Sequence, residues 1–190
     1  MDTTRILDVA FASAGLAAGA PLMAGLMVAG KLDTGSPLFQ QERVGRGQKP
    51  FTLVKFRTMR MGTKSVATHL ASQSAVTPLG AWLRRTKLDE LPQLVNVLKG
   101  EMSLVGPRPH AVDHNEHYRQ HVPGYMQRHA FKPGITGLAQ VEGWRGETAQ
   151  IDAMERRVDA DLRYQRDWSL MLDIKILIKT LLHLRSPNAY

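Results

Sequence analysis

The sequence predicts an α/β fold, α+β-like, with a small sheet, surrounding helices and an N-terminal membrane helix. Three observations predict it. Residues 6 to 30 form an apolar run with one charge in 25 positions, at Asp8. Two short strand-like runs follow, separated by a glycine-rich turn. Apolar residues at helical spacing then recur through much of the remainder. A chain of 190 residues suits one domain of ordinary size and can bury a real core.

The apolar run reads ILDVAFASAGLAAGAPLMAGLMVAG, Ile6 to Gly30. As a straight helix it would be about 37 Å long, enough to cross a hydrocarbon core of about 30 Å. Three topologies compete. A cleaved signal peptide fits less well, because the run is long and the preceding region has only Arg5 against Asp2. A spanning helix is the ordinary alternative. The third is a re-entrant helix that enters and leaves through one face. Pro21 lies near the middle of the run, and an interior proline removes a backbone hydrogen bond and clashes with the preceding turn. This predicts a break at Ala20-Pro21. Small residues around it (Gly15, Ala17, Ala18, Gly19, Gly25) let helix segments pack closely. Arg5 and Lys31 flank the run, and both ends on the cytoplasmic face agrees with the positive-inside tendency. This reading divides the chain into a membrane helix at 1–31 and a domain lying against the membrane at 32–190.

Beyond the helix, Pro37 to Val44 and Phe51 to Arg57 read as strands, punctuated by Gly45-Arg46-Gly47 and Lys49-Pro50. That Gly-x-Gly precedes no helical pattern, so no dinucleotide site is read there. Residues 62 to 77 are small and polar and read as a mobile loop. Thr77-Pro78 starts a short helix holding Trp82 and Leu83. Leu91 to Leu98 is helical, with Gly100 as its stop. Met102 to Val105 reads as a buried strand that enters the turn Gly106-Pro107-Arg108-Pro109.

Five of the seven histidines fall between positions 110 and 129. His110, His114, His117 and His121 recur at helical spacing, which raises a zinc reading. A solvated helix face with Asp113, Glu116 and Arg119 is the simpler account. Further on, Ile151, Met154, Val158 and Leu162 form an apolar stripe opposite Glu155, Arg156, Arg157 and Asp159. A second amphipathic helix spans Trp168 to Leu184, with Trp168, Leu172, Ile176 and Ile178 apolar and Lys175, Lys179 and His183 recurring every four residues. It suits either a core position or the membrane interface.

The formal charge is +8 and the pI about 10.0, which suits nucleic acid, anionic lipid or phosphorylated substrates. Aromatic residues are scarce and not interleaved with basic ones, which argues against single-stranded nucleic acid. The absence of cysteine excludes disulfides and Cys-ligated zinc. The segment Thr86 to Pro109 carries the chemistry. Asp89 and Glu90 are adjacent, follow Arg84, Arg85 and Lys87, and precede Pro92. A nucleophilic carboxylate, a metal-binding carboxylate and guanidinium groups are what phosphoryl transfer needs.

This segment resembles the signature of the bacterial sugar transferases, the monotopic phosphoglycosyl transferases. Asp33 to Phe39 with Gln41, Arg43, Val44 and Gly45 resembles the family's first block. Phe51 and Lys55-Phe56-Arg57-Thr58-Met59 resemble the second, and Lys132 to Gln140 a fourth. The resemblance implies transfer of a sugar-1-phosphate from a UDP-sugar to polyprenyl (undecaprenyl) phosphate, with release of UMP. It also implies the re-entrant topology, where a Ser-Pro pair usually forms the break and Ala20 here replaces the serine. The catalytic domain would face the cytoplasm from the bacterial inner membrane. By resemblance, Lys55, Arg84 and Arg108 contact substrate, with Arg145 and Asp173 at more variable positions.

The chemistry then follows. Asp89 would attack the β-phosphorus, expel UMP and hold the sugar phosphate as an acyl phosphate. Glu90, with Asp89, would hold Mg²⁺, which takes one or two carboxylates plus phosphate oxygens. The helix near Leu91-Pro92 would direct its positive end at the site. Arginine forks match phosphate oxygens. His110 to Val112, Tyr125-Met126, Arg128-His129, Gly143 to Thr148 and the Asn188-Ala189-Tyr190 end look most like the glucose-1-phosphate branch, with galactose and N-acetylated amino sugars left open. Members of that branch usually carry further membrane helices before this part, so a compact form and a fragment are both open, as is a homodimer. A membrane-surface adaptor and a nucleic-acid-binding protein are the competing classes. Neither needs the carboxylate pair, and the second needs no apolar helix.

Overall fold

A computed structural model describes residues 3–63, 75–144 and 151–183. Most of the expected polar loop, together with Arg145 and the C-terminal residues Asn188 to Tyr190, lies outside the described residues.

Helix α1 runs from Thr3 to Thr34. It is long and apolar enough to cross a membrane. It continues through Pro21 as one element, where two segments divided at Ala20-Pro21 were expected. It also ends at Thr34, three residues beyond the expected boundary, where the Thr34 hydroxyl donates to the carbonyls of Gly30 and Ser36. One face of α1 packs on the rest of the chain. Asp8, Ala12, Leu26, Gly30 and Thr34 are buried on it, at the three- and four-residue steps of one helical face. Phe11, Leu22, Val28 and Leu32 stay exposed.

Both ends of α1 touch the same domain. Near the start, Asp8 accepts from the Ser103 hydroxyl and the Leu104 amide, both at 2.9 Å. Arg5 donates to the carbonyls of Val97 and Leu98, among the last four carbonyls of a short helix, which have no partner within it. Near the other end, Leu26 joins Phe56 and Leu83 in a buried cluster. Gly30 lies against Pro37, where an added Cβ would meet the Pro37 backbone at 3.1 Å.

Strands β1 (Leu38–Val44) and β2 (Pro50–Phe56) form an antiparallel hairpin around a 3-10 turn at Arg46–Gln48. Thr77 caps α2 (Pro78–Thr86), its hydroxyl accepting from the Gly80 amide at 2.9 Å. The expected proline start is present. A 3-10 turn at Leu88–Glu90 follows, then α3 (Gln93–Lys99), which ends at Gly100 with φ of 83°. A left-handed residue there is the usual glycine stop. Fully buried Asn96 joins α3 to β2, accepting from the Val54 amide and donating to the Thr52 carbonyl.

Strand β3 (Ser103–Val105) pairs in parallel with β4 (Gly134–Thr136). Gly106 and Gly134 let the two backbones meet, since a Cβ on either would overlap the other segment. Helix α4 (Val112–His121), a 3-10 stretch at Tyr125–Ala130 and α5 (Leu138–Val141) follow. Helices α6 (Ile151–Arg166) and α7 (Leu170–His183) close the chain. Met154 and Val158 of α6 pack on Tyr118, Val122 and Tyr125. Two expectations on α6 are corrected: Arg157 is buried and Ile151 is exposed. The apolar stripe did not foresee that Arg157 donates inward to the Trp144 carbonyl. On α7, Ile176 is buried, while Met171, Ile174, Ile178, Leu181 and Leu182 are exposed, as is Trp168 just before the helix.

Candidate active site

The hairpin supplies the first part of the site. Phe39 pairs with Lys55 across the ladder, and Arg43 with Phe51. Positions 39, 41 and 43 share one face of the pleat, so Lys55 and Arg43 point to the same side. Farther along this face, Phe51 and Leu53 enter the core with Ala12, Val97 and Met102. The Lys55 ammonium lies 5.4 Å from the centre of the Phe39 ring.

Helix α2 supplies the next part. Gly80 lies flush on Thr58, where a Cβ would come within 2.1 Å of the Thr58 carbonyl oxygen. One turn later Arg84 donates its Nε to the Thr58 hydroxyl at 2.9 Å. The chain then reverses through Lys87, a non-glycine residue with φ of 60°. Such a conformation is uncommon outside glycine, and it places Asp89 and Glu90 in their own 3-10 turn. The pair therefore precedes α3, and Pro92 is the N-cap residue of α3.

The third part is the turn after β3. Arg108 donates to Glu90 at 2.7 Å. Four consecutive carbonyls hold this turn. Pro107 accepts from the Gly134 amide at 2.9 Å. Arg108 accepts from Arg128 at 2.8 Å, and Pro109 from Arg43 at 3.2 Å. His110 accepts from the Val44 amide at 3.1 Å.

The electrostatics identify a site short of counter-charge on both signs. Burial, then the neighbouring Glu90 carboxylate, push Asp89 up to about 6. Burial opposes the charge on Glu90 as well, but the Arg108 charge and hydrogen bond hold its carboxyl below the ordinary range. Burial lowers Lys55 to about 8, although Asp89 pulls it back up. Burial, then Arg108, lower Arg43 to about 10, and its Nε is buried without a partner. Burial thus outweighs the attraction between Asp89 and its neighbouring cations Lys55, Arg108 and Lys87. The oxygen-only pair Asp89 and Glu90 fits Mg²⁺, which binds through one or two carboxylates and completes its shell with substrate phosphates and water.

The structure thus brings together Lys55, Arg84, Asp89, Glu90 and Arg108. It adds Arg43, noted in the sequence only as part of a motif. Its position on the Phe39 face was the available signal. Asp173 is not joined to this group. Its carboxylate is buried between α6 and α7, accepting from Tyr164 at 2.8 Å and Trp168 at 3.2 Å. Burial raises its carboxyl, against the pull of those two bonds. In this placement it ties the two last helices together. Arg145 lies outside the described residues.

The histidines divide. His110 precedes α4 and is buried, its Nδ1 lying 2.6 Å from the Tyr125 hydroxyl and 2.9 Å from Arg128. It does not share the helical face expected for it. His117 and His121 lie exposed on α4 with ring centres 4.6 Å apart.

The profile of the bacterial sugar transferases matches residues 2–186. The chain is 49% identical over 179 residues to a UDP-glucose:undecaprenyl-phosphate glucose-1-phosphate transferase of Escherichia coli (strain K12), covering 93% of this chain and 39% of that protein. It is 45% identical over 190 residues to a protein of the same name from Caulobacter vibrioides, covering 98% of this chain and 71% of that one. A UDP-N-acetylgalactosamine-undecaprenyl-phosphate N-acetylgalactosaminephosphotransferase of Aeromonas hydrophila is 37% identical over 180 residues, covering 93% of this chain and 42% of that protein. The chain therefore spans about two fifths of the length of the Escherichia coli relative. On the length and strength of these matches, the chain belongs to the bacterial sugar transferase family.

Proposed function

We propose that this chain transfers a sugar-1-phosphate from a UDP-sugar to polyprenyl phosphate, releasing UMP, through a phospho-sugar intermediate on Asp89. The observation that carries the reading is a buried Asp89 with its carboxyl raised to about 6, beside Glu90 and within reach of the charges of Lys55, Arg108 and Lys87. An Asp89 oxygen attacks the β-phosphorus, and the bond from that phosphorus to the oxygen of the UMP leaving group breaks. The polyprenyl phosphate oxygen then attacks the same phosphorus and frees Asp89. Lys55 and Arg43 offset the diphosphate charge, and Arg108 holds Glu90. Asp89 and Glu90 would hold Mg²⁺, which when bound supplies charge neutralisation at the phosphate oxygens. Glucose is the preferred sugar, because several of the similar proteins are named for glucose-1-phosphate transfer.

The chain works at a membrane, on this reading the bacterial inner membrane from its cytoplasmic face. Support comes from α1, whose Arg5–Ala12 end and Leu26–Thr34 end both pack on one domain. A straight spanning helix would carry its ends to opposite faces. The exposed apolar side of α7 would lie in the interface. Cysteines placed at Thr3 and Asp33 should both resist an impermeant thiol reagent in intact cells, and labelling of one alone would establish a spanning helix.

The enzymatic test is UMP release from a UDP-sugar panel in detergent with Mg²⁺ and polyprenyl phosphate. Without acceptor, a rapid denaturing quench should leave labelled sugar phosphate on the Asp89 peptide, and kinetics should be ping-pong. Unlabelled protein with intersecting double-reciprocal plots would instead support direct transfer in a ternary complex.

A further inference from the structure

The turn from Gly106 to His110 contains two prolines, and proline has no backbone N–H. It therefore has few donors of its own, and its carbonyls carry its attachment. Two of those carbonyls are held by backbone amides of β1 and β4, Val44 and Gly134. The other two are held by arginine side chains, Arg43 and Arg128. Arg128 is the more deeply committed of these. It is 2% exposed. Its Nη2 donates to the Arg108 carbonyl at 2.8 Å and to Asp161 at 2.6 Å, its Nε to Asp161 at 3.0 Å, and its Nη1 to His110 at 2.9 Å. One guanidinium thus grips the residue that meets Glu90, and also the histidine two positions later.

We propose that Arg128, with its counter-ion Asp161, is a positioning residue for the transfer reaction. It sets the backbone of Arg108 so that the Arg108 guanidinium holds Glu90. This rests on the reading of Asp89 and Glu90 as the catalytic pair. Arg128 itself touches no substrate. A planar fork with five donors can serve Asp161, His110 and the Arg108 carbonyl at once, whereas a lysine ammonium is a point charge with three. Asp161 is needed because an arginine buried this deeply is strongly unfavourable without an opposite charge.

Arg128→Lys keeps the charge and loses the fork. It should lower kcat about tenfold or more with a smaller change in KM for the UDP-sugar, as expected when a group aligned for the transition state shifts by a fraction of an ångström. Asp161→Asn, nearly isosteric, is the second variant should Arg128→Lys fold poorly, and it should shift kcat in the same direction. The decisive measurement is a double-mutant cycle with Arg108→Ala. In that background, Arg128→Lys should have little further effect on kcat, because its action runs through Arg108. Effects that simply multiply would overturn the proposal. Met154→Ala, which opens the neighbouring apolar cluster, controls for general destabilisation and should leave kcat per folded molecule unchanged.

An activity-independent readout separates this inference from the functional reading. Hydrogen exchange of the Val44 and Gly134 amides, bonded to the His110 and Pro107 carbonyls, should quicken in Arg128→Lys and not in Met154→Ala. Wild-type protein that releases no UMP would defeat the functional reading, while exchange would still report the grip on the turn. Unchanged exchange at both amides would defeat the positioning role whatever the activity.

Discussion

Two groups of buried charge lie on either side of the Gly106–His110 turn, and they are built differently. On one side Arg128 and Asp161 make two hydrogen bonds to each other, at 2.6 and 3.0 Å, and each is about 2% exposed. Burial pushes the Asp161 carboxyl up and Arg128 pulls it back. On the other side Asp89, Lys55 and Arg43 are each displaced from their ordinary protonation range chiefly by burial. Among the described residues, Glu90 alone there has a close ionic partner, Arg108. The first group is matched by hydrogen-bonded pairing. In the second, burial outweighs the attraction between Asp89 and Lys55, and on the proposed reading substrate completes the match. Charge left without its complement marks where a ligand binds, and the matched pair marks what keeps that place in shape.

The sharpest way to break this contrast is Asp89→Asn. Turnover should fall to background, because an amide cannot form the acyl phosphate. Stability should rise, because the substitution removes a desolvated carboxylate beside Glu90. Residual turnover above a few per cent of wild type, with deamidation excluded, would remove Asp89 from the nucleophile's role.

The opposite pattern is expected across the turn. Arg128→Met leaves Asp161 buried and unpaired and should destabilise the protein by about 3 to 5 kcal/mol, read as a lower denaturant midpoint. Lys55→Met should instead lower UMP release by about tenfold to a hundredfold, with stability unchanged or increased. If both variants lost stability equally, the two groups of charge would not differ in kind.

The pH dependence carries a definite sign. Asp89 binds its proton more tightly folded, at about 6, than its ordinary value of 3.8. Its contribution to stability is therefore fully present below about pH 4 and is lost as pH rises through about 6. Denaturation of wild type and Asp89→Asn across this window, without metal, should show the difference between them widening as pH rises. Mg²⁺ should narrow it, and Glu90→Gln should weaken that response.

The smallest effect belongs to a third kind of charge. Arg163 pairs with Glu142 and Asp159 at the surface, with its side chain 39% exposed. Arg163→Ala should change stability by less than about 1 kcal/mol and leave turnover alone, as thermal unfolding and UMP release would report.

The elements that sequence made legible are those with local causes. Thr77-Pro78 caps α2, Gly100 stops α3, and the Gly45–Pro50 punctuation joins β1 to β2. The adjacent carboxylates and the cations at Lys55, Arg84 and Arg108 were legible because each belongs to a short motif, and the fold brings them together. What escaped depends on partners far along the chain. Arg128 meets Asp161 across 33 positions, and no periodicity announces that. Arg157 sits beside an apolar stripe yet turns inward to the Trp144 carbonyl. Asp173, taken from a variable motif, is fixed by Tyr164 and Trp168 instead. His110 matched a helical spacing, but α4 starts after it.

The way α1 is seated has a consequence for handling the protein. Ala12 belongs to the same buried cluster as Phe51, Leu53, Val97 and Met102, and Asp8 satisfies a backbone amide of the strand-forming segment. Trimming the chain before Pro37 to obtain a water-soluble fragment would strip one wall from that cluster. It would also leave the Leu104 amide and the Val97 and Leu98 carbonyls without these bonds. The part that reads as a detachable tether is a side of the folding unit, and detergent or lipid belongs in the preparation from the first step.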